Sequence, residues 1–199
     1  MNLDINVLKA VIAKKSYKWF DDQPNIIAIR SNLNVSDIFN DILCIVYKKN
    51  GVETLYTATI TTEPGVTYQK KLLNKDGCWV MMPAQMIDAY TIGLHQSKAD
   101  HRCLRSTGKI FGLRDNDLNG IAGDDTDAVA KWVDGTTVGA NIHGSNKAGI
   151  TKSIGPWSAG CQVHNDWKKK EEMMDIMDSY KSINSGKFTY TLIEEKDLA

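Results

Sequence analysis

The apolar positions of the chain follow two different periods. Over residues 2–14 and again over 166–180 they recur at helical spacing, which predicts an amphipathic helix at each end, the second capped by Asn165. Between these segments, alternating and β-branched runs predict about seven strands. They include a hairpin over 41–61 with its turn at Asn50-Gly51, and a strand over 138–143. The pattern predicts a mostly β (α+β) fold with a C-terminal helix.

Composition narrows the classes of function. The 199 residues carry 24 Lys+Arg and 24 Asp+Glu, a balance that argues against a nucleic-acid partner and a polybasic membrane surface. Hydrophobic residues make up 42% of the chain, enough for a folded core, and no apolar run has the length of a membrane span. Residues 1–15 lack the features of a secretory signal peptide. We therefore expect neither nucleic-acid binding nor membrane insertion.

The chain has four cysteines, Cys44, Cys78, Cys103 and Cys161. They are too sparse for a disulfide scaffold, and no pair has the C-x-x-C spacing of a zinc or redox site. The question is therefore whether one of these thiols is catalytic.

The candidate catalytic residues are His143 and Cys161, which lie 18 positions apart. A cysteine nucleophile needs a base, and histidine titrates nearest neutrality. Gly160 would let the backbone approach a substrate carbonyl, with amides near Gly160 and Cys161 holding an oxyanion. Ser158 would orient the loop or the histidine. His143 precedes Cys161, the reverse of the papain order, and the caspase motif is absent.

The motif His143-Gly144, a loop, then Ser158-x-Gly160-Cys161 resembles the active-site signature of the L,D-transpeptidase catalytic domain. The resemblance covers roughly residues 80–193. The segments 90–95, 114–117 and 157–163 are also similar to uncharacterised relatives carried by bacteroidete bacteria and their phages. The family's arginine, normally two positions after the cysteine, is absent, because Cys161 is followed by Gln-Val-His.

The resemblance implies a β-sandwich-like fold and a cysteine that attacks peptidoglycan stem peptides without a cofactor. By position, Cys161 is the nucleophile, His143 the base, and Gly160 with Cys161 the oxyanion donors. We expect His95, Trp157 and Gly144 to border the substrate. On this basis residues 81–199 form the catalytic domain. Residues 1–80 form a helix and hairpin addition, belonging to the same domain or docking on a larger particle.

Two metal hypotheses remain open. His95, His101, His143 and Cys161 offer zinc ligands without a zinc motif. The segment 115–121 matches the first half of an EF-hand loop, with Asp115, Asp117 and Asn119 at the oxygen-ligand positions and Ile121 offering its carbonyl. Thr126 stands where the loop's glutamate belongs, so Asp125 or a neighbouring aspartate would have to close a shorter site. The alternatives are a structural Ca²⁺ site and an Asx-rich turn.

The expected function is cysteine-dependent acyl transfer on stem peptides through a thioester, either hydrolysis or cross-linking. The missing signal peptide favours a phage wall-modifying or wall-degrading enzyme, carried in the virion or made in the host cytoplasm and then delivered to the wall. Other virion proteins are then candidate partners. The missing arginine favours the alternative, an inactive phage structural or wall-binding protein that keeps the fold.

Overall fold

The structure is a computed structural model that describes residues 3–33, 35, 37–98 and 100–199. Its α-helices are α1 (Ile5–Lys14), α2 (Val66–Lys70), α3 (Gly135–Val138) and α4 (Trp167–Asp178). Its strands are β1 (Asn25–Arg30), β2 (Asp41–Lys49), β3 (Val52–Thr61), β4 (Cys78–Met81), β5 (Ala84–Leu94), β6 (Arg102–Ser106), β7 (Lys109–Asp115), β8 (Lys131–Asp134), β9 (Ile142–Gly144), β10 (Gln162–His164) and β11 (Lys187–Glu194). The predicted mostly β class is confirmed. Residue 2 of the predicted first helix lies outside the described residues.

The larger sheet closes on itself as a barrel of eight strands, in the order β1-β11-β5-β6-β9-β10-β3-β2. A separate three-stranded sheet has the order β4-β7-β8. The resemblance to the L,D-transpeptidase domain implies a sandwich, whereas this larger sheet is closed and has no free edge. Parallel pairing of β1 with β11 joins Ile26 to Tyr190 and completes the closure.

The N-terminal part of the chain contributes β1, β2 and β3 to this barrel. The predicted hairpin forms β2 and β3, and its turn residues Asn50 and Gly51 both have positive φ, 52° and 80°. Two successive positive φ values are typical of the type I′ turn that suits a two-residue hairpin. Residues 1–80 and 81–199 therefore share one sheet, and the boundary at 80/81 falls inside β4.

Two apolar clusters cover the two faces of the barrel sheet. Leu8, Val11 and Ile12 of α1 pack on the outer face, against β1 and β2. Three methionines of α4 join the main core with inward residues of the barrel strands: Met173, Met174 and Met177. In the described chain no helix is long and apolar enough to cross a membrane.

Two local predictions were wrong. Residues 138–143 do not form one strand, because α3 ends at Val138, Gly139 takes a left-handed conformation, and β9 begins only at Ile142. Asp166, not Asn165, caps α4, since its side chain accepts the amide of Lys168. The consequence for the site is that His143 lies in the middle of a three-residue strand.

Candidate functional site

The register of four neighbouring strands decides which way the candidate residues face. Ile92, Leu104, Ile142 and Gln162 form one row across β5, β6, β9 and β10. Leu104 and Ile142 belong to the core, and the Gln162 side chain accepts a hydrogen bond from the buried Tyr190 hydroxyl at 2.9 Å. This row therefore faces the interior of the barrel.

Because successive residues of a strand point to opposite faces, the next row faces outward. It contains Gly93, Cys103, His143 and Val163, with Val163 directly paired to His143. Cys161 directly precedes β10, and β10 pairs in parallel with β9, the strand that carries His143. The fold thus brings the two segments that carry the predicted catalytic residues side by side.

The thiol of Cys161 is half-buried. Its Sγ lies 3.4 Å from the carbonyl oxygen of Gly139, a contact in which the thiol is the donor. Burial raises the pKa of Cys161 to about 11, an effect that the nearby Asn141 amide reduces. The thiol is therefore protonated at neutral pH in the absence of substrate.

The imidazole of His143 is 2% exposed. Its Nδ1 lies 2.9 Å from the carbonyl oxygen of Gly144, which can only accept, so Nδ1 carries the proton. Its Nε2 is buried and has no hydrogen-bond partner among the described residues. Burial lowers the pKa of His143 well below its usual value, and the neighbouring His95 adds to that effect. The neutral ring thus keeps a free lone pair on Nε2.

His143 and Cys161, both in the described chain, are not joined by a hydrogen bond. The His143 ring instead stacks on His95, with centroids 3.9 Å apart and planes 24° apart. His101 meets the same ring edge-on at 5.4 Å. Both partners lie in the connection between β5 and β6. The stack therefore fixes the plane of the His143 ring.

Ser158 organises the loop before Cys161. Its hydroxyl donates to the Cys161 carbonyl at 2.7 Å and accepts the Gly160 amide at 3.1 Å. The Gly160 amide, expected as an oxyanion donor, is thus engaged inside the loop. The Cys161 amide has no acceptor among the described residues, which leaves it available to an oxyanion.

Gly160 is required by close packing as well as by backbone conformation. Its φ is +131°, and a Cβ added there would lie 2.6 Å from the carbonyl oxygen of Trp79. Gly149 also has a positive φ, +155°, but nothing lies within 4 Å of an added Cβ. The two glycines therefore separate the effect of backbone strain from the effect of a clash.

We expect Gly160→Ala to lower the free energy of unfolding by about 1–3 kcal/mol more than Gly149→Ala, because only the former displaces the loop from β4. Urea unfolding of both variants and the wild type measures the difference. Equal losses in the two variants would show that the close approach to Trp79 has no energetic consequence.

Two of the three predicted substrate-binding residues, His95 and Trp157, line a cavity of about 480 Å³. His101, His143 and Trp167 also line it. Gly144 does not line it, but a Cβ there would lie 2.9 Å from the Trp167 ring, so Gly144 lets Trp167 pack against β9. We call this space the histidine cavity. Cys161 is not among the residues that line it.

Sequence reasoning did not identify two of the lining residues. Trp167 falls within the apolar helical pattern of residues 166–180, which indicates a core position, yet its ring lies 4.7 Å from that of His101. Lys147 was not singled out, although it lies in the loop between His143 and Cys161 and its Nζ is 5.0 Å from the Trp167 ring. The position of Lys147 between the two motif residues was the available signal.

The acidic loop is held by Asx-type hydrogen bonds. Asp115 accepts the Gly123 amide at 2.6 Å, and Asp117 accepts the Asn119 amide at 2.9 Å. The Oδ1 of Asn119 accepts the Ile121 amide, while its Nδ2 points at Asp117. Asp125 accepts the amides of Asn116 and Asp127. These hydrogen bonds are typical of an Asx-rich turn, and calcium binding stays a prediction.

In the part of the chain that the structure describes, no group of three or more His, Cys, Asp or Glu side chains could hold a metal ion. The nearly parallel rings of His143 and His95 account for this in the histidine cavity, because stacked imidazoles do not converge on one point. A comparison with known protein families finds no matching family model, and a search of curated proteins finds no significant match.

Proposed function

We propose that the chain is a cysteine-dependent acyl-transfer enzyme that acts on peptidoglycan stem peptides, with an L,D-transpeptidase-like arrangement of Cys161 and His143. One observation carries the proposal. The Nε2 lone pair of His143 is buried and unpartnered, and the strand that carries it pairs in parallel with β10, which begins directly after Cys161. The resemblance of the His143-Gly144 and Ser158-x-Gly160-Cys161 motifs supplies the substrate class.

The protonation states define the order of the chemical steps. The thiol is protonated and the imidazole neutral, so no thiolate–imidazolium pair exists before substrate binds. His143 therefore acts as a general base, taking the thiol proton on Nε2 as Sγ attacks the substrate carbonyl. In such enzymes the hydrogen bond between the base and the nucleophile often shortens only when substrate is bound.

The remaining steps follow from the same groups. The Cys161 amide donates to the oxyanion of the tetrahedral intermediate. The leaving amine takes the proton from His143, and a thioester joins the acyl group to Sγ. Water then gives hydrolysis, or a second stem-peptide amine gives a cross-link, with His143 again accepting the nucleophile's proton. The hydrogen bond from Nδ1 to Gly144 keeps Nε2 as the reacting nitrogen throughout.

The test is to incubate purified peptidoglycan with the wild type, Cys161→Ala and Cys44→Ala, and to compare muropeptides by mass spectrometry. We expect new muropeptides with the wild type and Cys44→Ala and none with Cys161→Ala. Cys44 is a suitable control because it lies on β2, fully buried beneath α1, and two strands separate β2 from the strand of His143. Identical profiles for the wild type and Cys161→Ala would contradict the proposal.

A second candidate is an inactive structural or wall-binding relative. The contact of the thiol with the Gly139 carbonyl favours it, because the thiol is engaged there and not with His143. It predicts binding to peptidoglycan without any change in muropeptides. For either candidate, we propose a phage origin with delivery to the cell wall, where other virion proteins are partners; this rests on the sequence resemblance.

A further inference from the structure

The histidine cavity carries one positive charge in excess. Lys98 and Lys147 line it, and Asp100 is the acidic residue among its lining side chains. Asp100 already pairs with Lys147, whereas Lys98 makes no ion pair with a described residue. A cavity with an unpaired cation attracts an anionic group from solvent.

The cavity wall also contains polar atoms that are buried and unsatisfied. Nδ1 of His95 and Nε2 of His101 are buried and have no hydrogen-bond partner in the described chain. Native structures leave few such atoms, and each unsatisfied one costs free energy. A ligand with several acceptor oxygens would satisfy the imidazoles that present N–H groups.

The remaining wall is aromatic. Trp157 is 38% exposed at the opening, and Trp167 lies deeper beside His101. The Nζ of the buried Lys170 lies 3.7 Å from the Trp167 ring and pairs with Glu171, which fixes the ring. The indole surfaces suit the apolar body of a small ligand whose charged end points towards the imidazoles.

We propose that the histidine cavity binds a carboxylate group of the substrate, held by Lys98 and by the imidazoles of His95 and His101. The inference rests on the proposed function and names the feature of the stem peptide that this site recognises. His143, the proposed base, lines the same cavity. A carboxylate bound there therefore places the neighbouring part of the peptide beside the base.

The experiment compares two probes that differ in charge, N-acetyl-D-alanine and N-acetyl-D-alaninamide, on the Cys161→Ala protein, so that turnover plays no part. NMR titration gives affinities and locates binding from the imidazole signals of His95 and His101. We expect the carboxylate to bind at least 10-fold more tightly than the amide. We also expect Lys98→Met and His101→Phe each to weaken carboxylate binding about 3- to 10-fold, and Lys168→Met on the exposed face of α4 to leave it unchanged.

Equal affinity for the acid and the amide, or affinity unchanged in both cavity variants, would overturn the proposal. Inorganic phosphate binding as tightly as the carboxylate would show a general anion site and overturn the assignment to a carboxylate. Stoichiometric Zn²⁺ binding that displaces the probe would overturn it in favour of a metal site. The binding experiment uses the Cys161→Ala protein, so none of its outcomes bears on the catalytic role of Cys161. The muropeptide assay tests that role, and each proposal can therefore fail without the other.

Discussion

Replacing His143 with Gln is expected to lower kcat/KM for a stem-peptide substrate by about 10²- to 10⁴-fold, the range that a general base contributes. Glutamine keeps a polar side chain but cannot take the thiol proton. The substrate's KM should change far less, because His143 reacts with the thiol and does not hold the peptide. Steady-state kinetics with a synthetic stem peptide measure both quantities.

His164 offers a matched control. It is also a fully buried histidine with an unpartnered nitrogen, but it faces inward and its Nε2 lies 3.3 Å from the sulfur of Met173. We expect His164→Phe to change kcat/KM by less than about 3-fold. Comparable losses in the two variants would mean that His143 acts through the fold and not as the base.

Lowering the pH from 7 to 5 is expected to destabilise the fold by several kcal/mol. Burial lowers the pKa of His101 to about 4 and that of His164 to about 3, and it also lowers those of His95 and His143. The histidines of the unfolded chain take up protons near pH 6.5, whereas those of the folded chain take them up only at the lower pH of their lowered pKa values. Stability therefore falls as the pH drops through about 6.5, by about 2 kcal/mol per fully buried histidine at pH 5.

Urea unfolding at pH 7 and pH 5 tests this dependence. His164→Phe should reduce the difference between the two pH values by about 2 kcal/mol, whatever its effect at pH 7, because it removes one titrating group. A pH difference identical to that of the wild type would contradict the lowered pKa of His164.

The sequence predicted the elements whose residues are contiguous along the chain, namely the hairpin and the C-terminal helix. The Asn50-Gly51 turn and its alternating flanks specify the hairpin, and the apolar stripe of α4 specifies that helix. By contrast, β10 is a three-residue strand whose Gln162 and His164 point into the barrel. Because these inward positions are polar, the strand lacks the apolar alternation by which strands are predicted. Their partners, Tyr190 and Met173, are distant in the sequence, so no local pattern indicates that the two polar side chains are buried.

Barrel closure could not be predicted for a similar reason. It depends on the pairing of β1 with β11, whose residues lie more than 150 positions apart, and no local pattern encodes that contact. The candidate site was also only partly predictable. The spacing of His143 and Cys161 predicted both as candidate catalytic residues, whereas the stack of His143 on His95 depends on the register of β5, β6 and β9.

The central claim is that Cys161 forms a thioester with a stem-peptide acyl group. The most direct measurement is intact-protein mass spectrometry after rapid acid quenching of the wild type with a synthetic stem peptide, followed by peptide mapping. We predict a mass increase equal to the acyl group, located on Cys161, lost on hydroxylamine treatment, absent in Cys161→Ala and retained in Cys103→Ala. An unmodified Cys161 in a preparation that converts the peptide, or the same adduct in Cys161→Ala, would contradict the account.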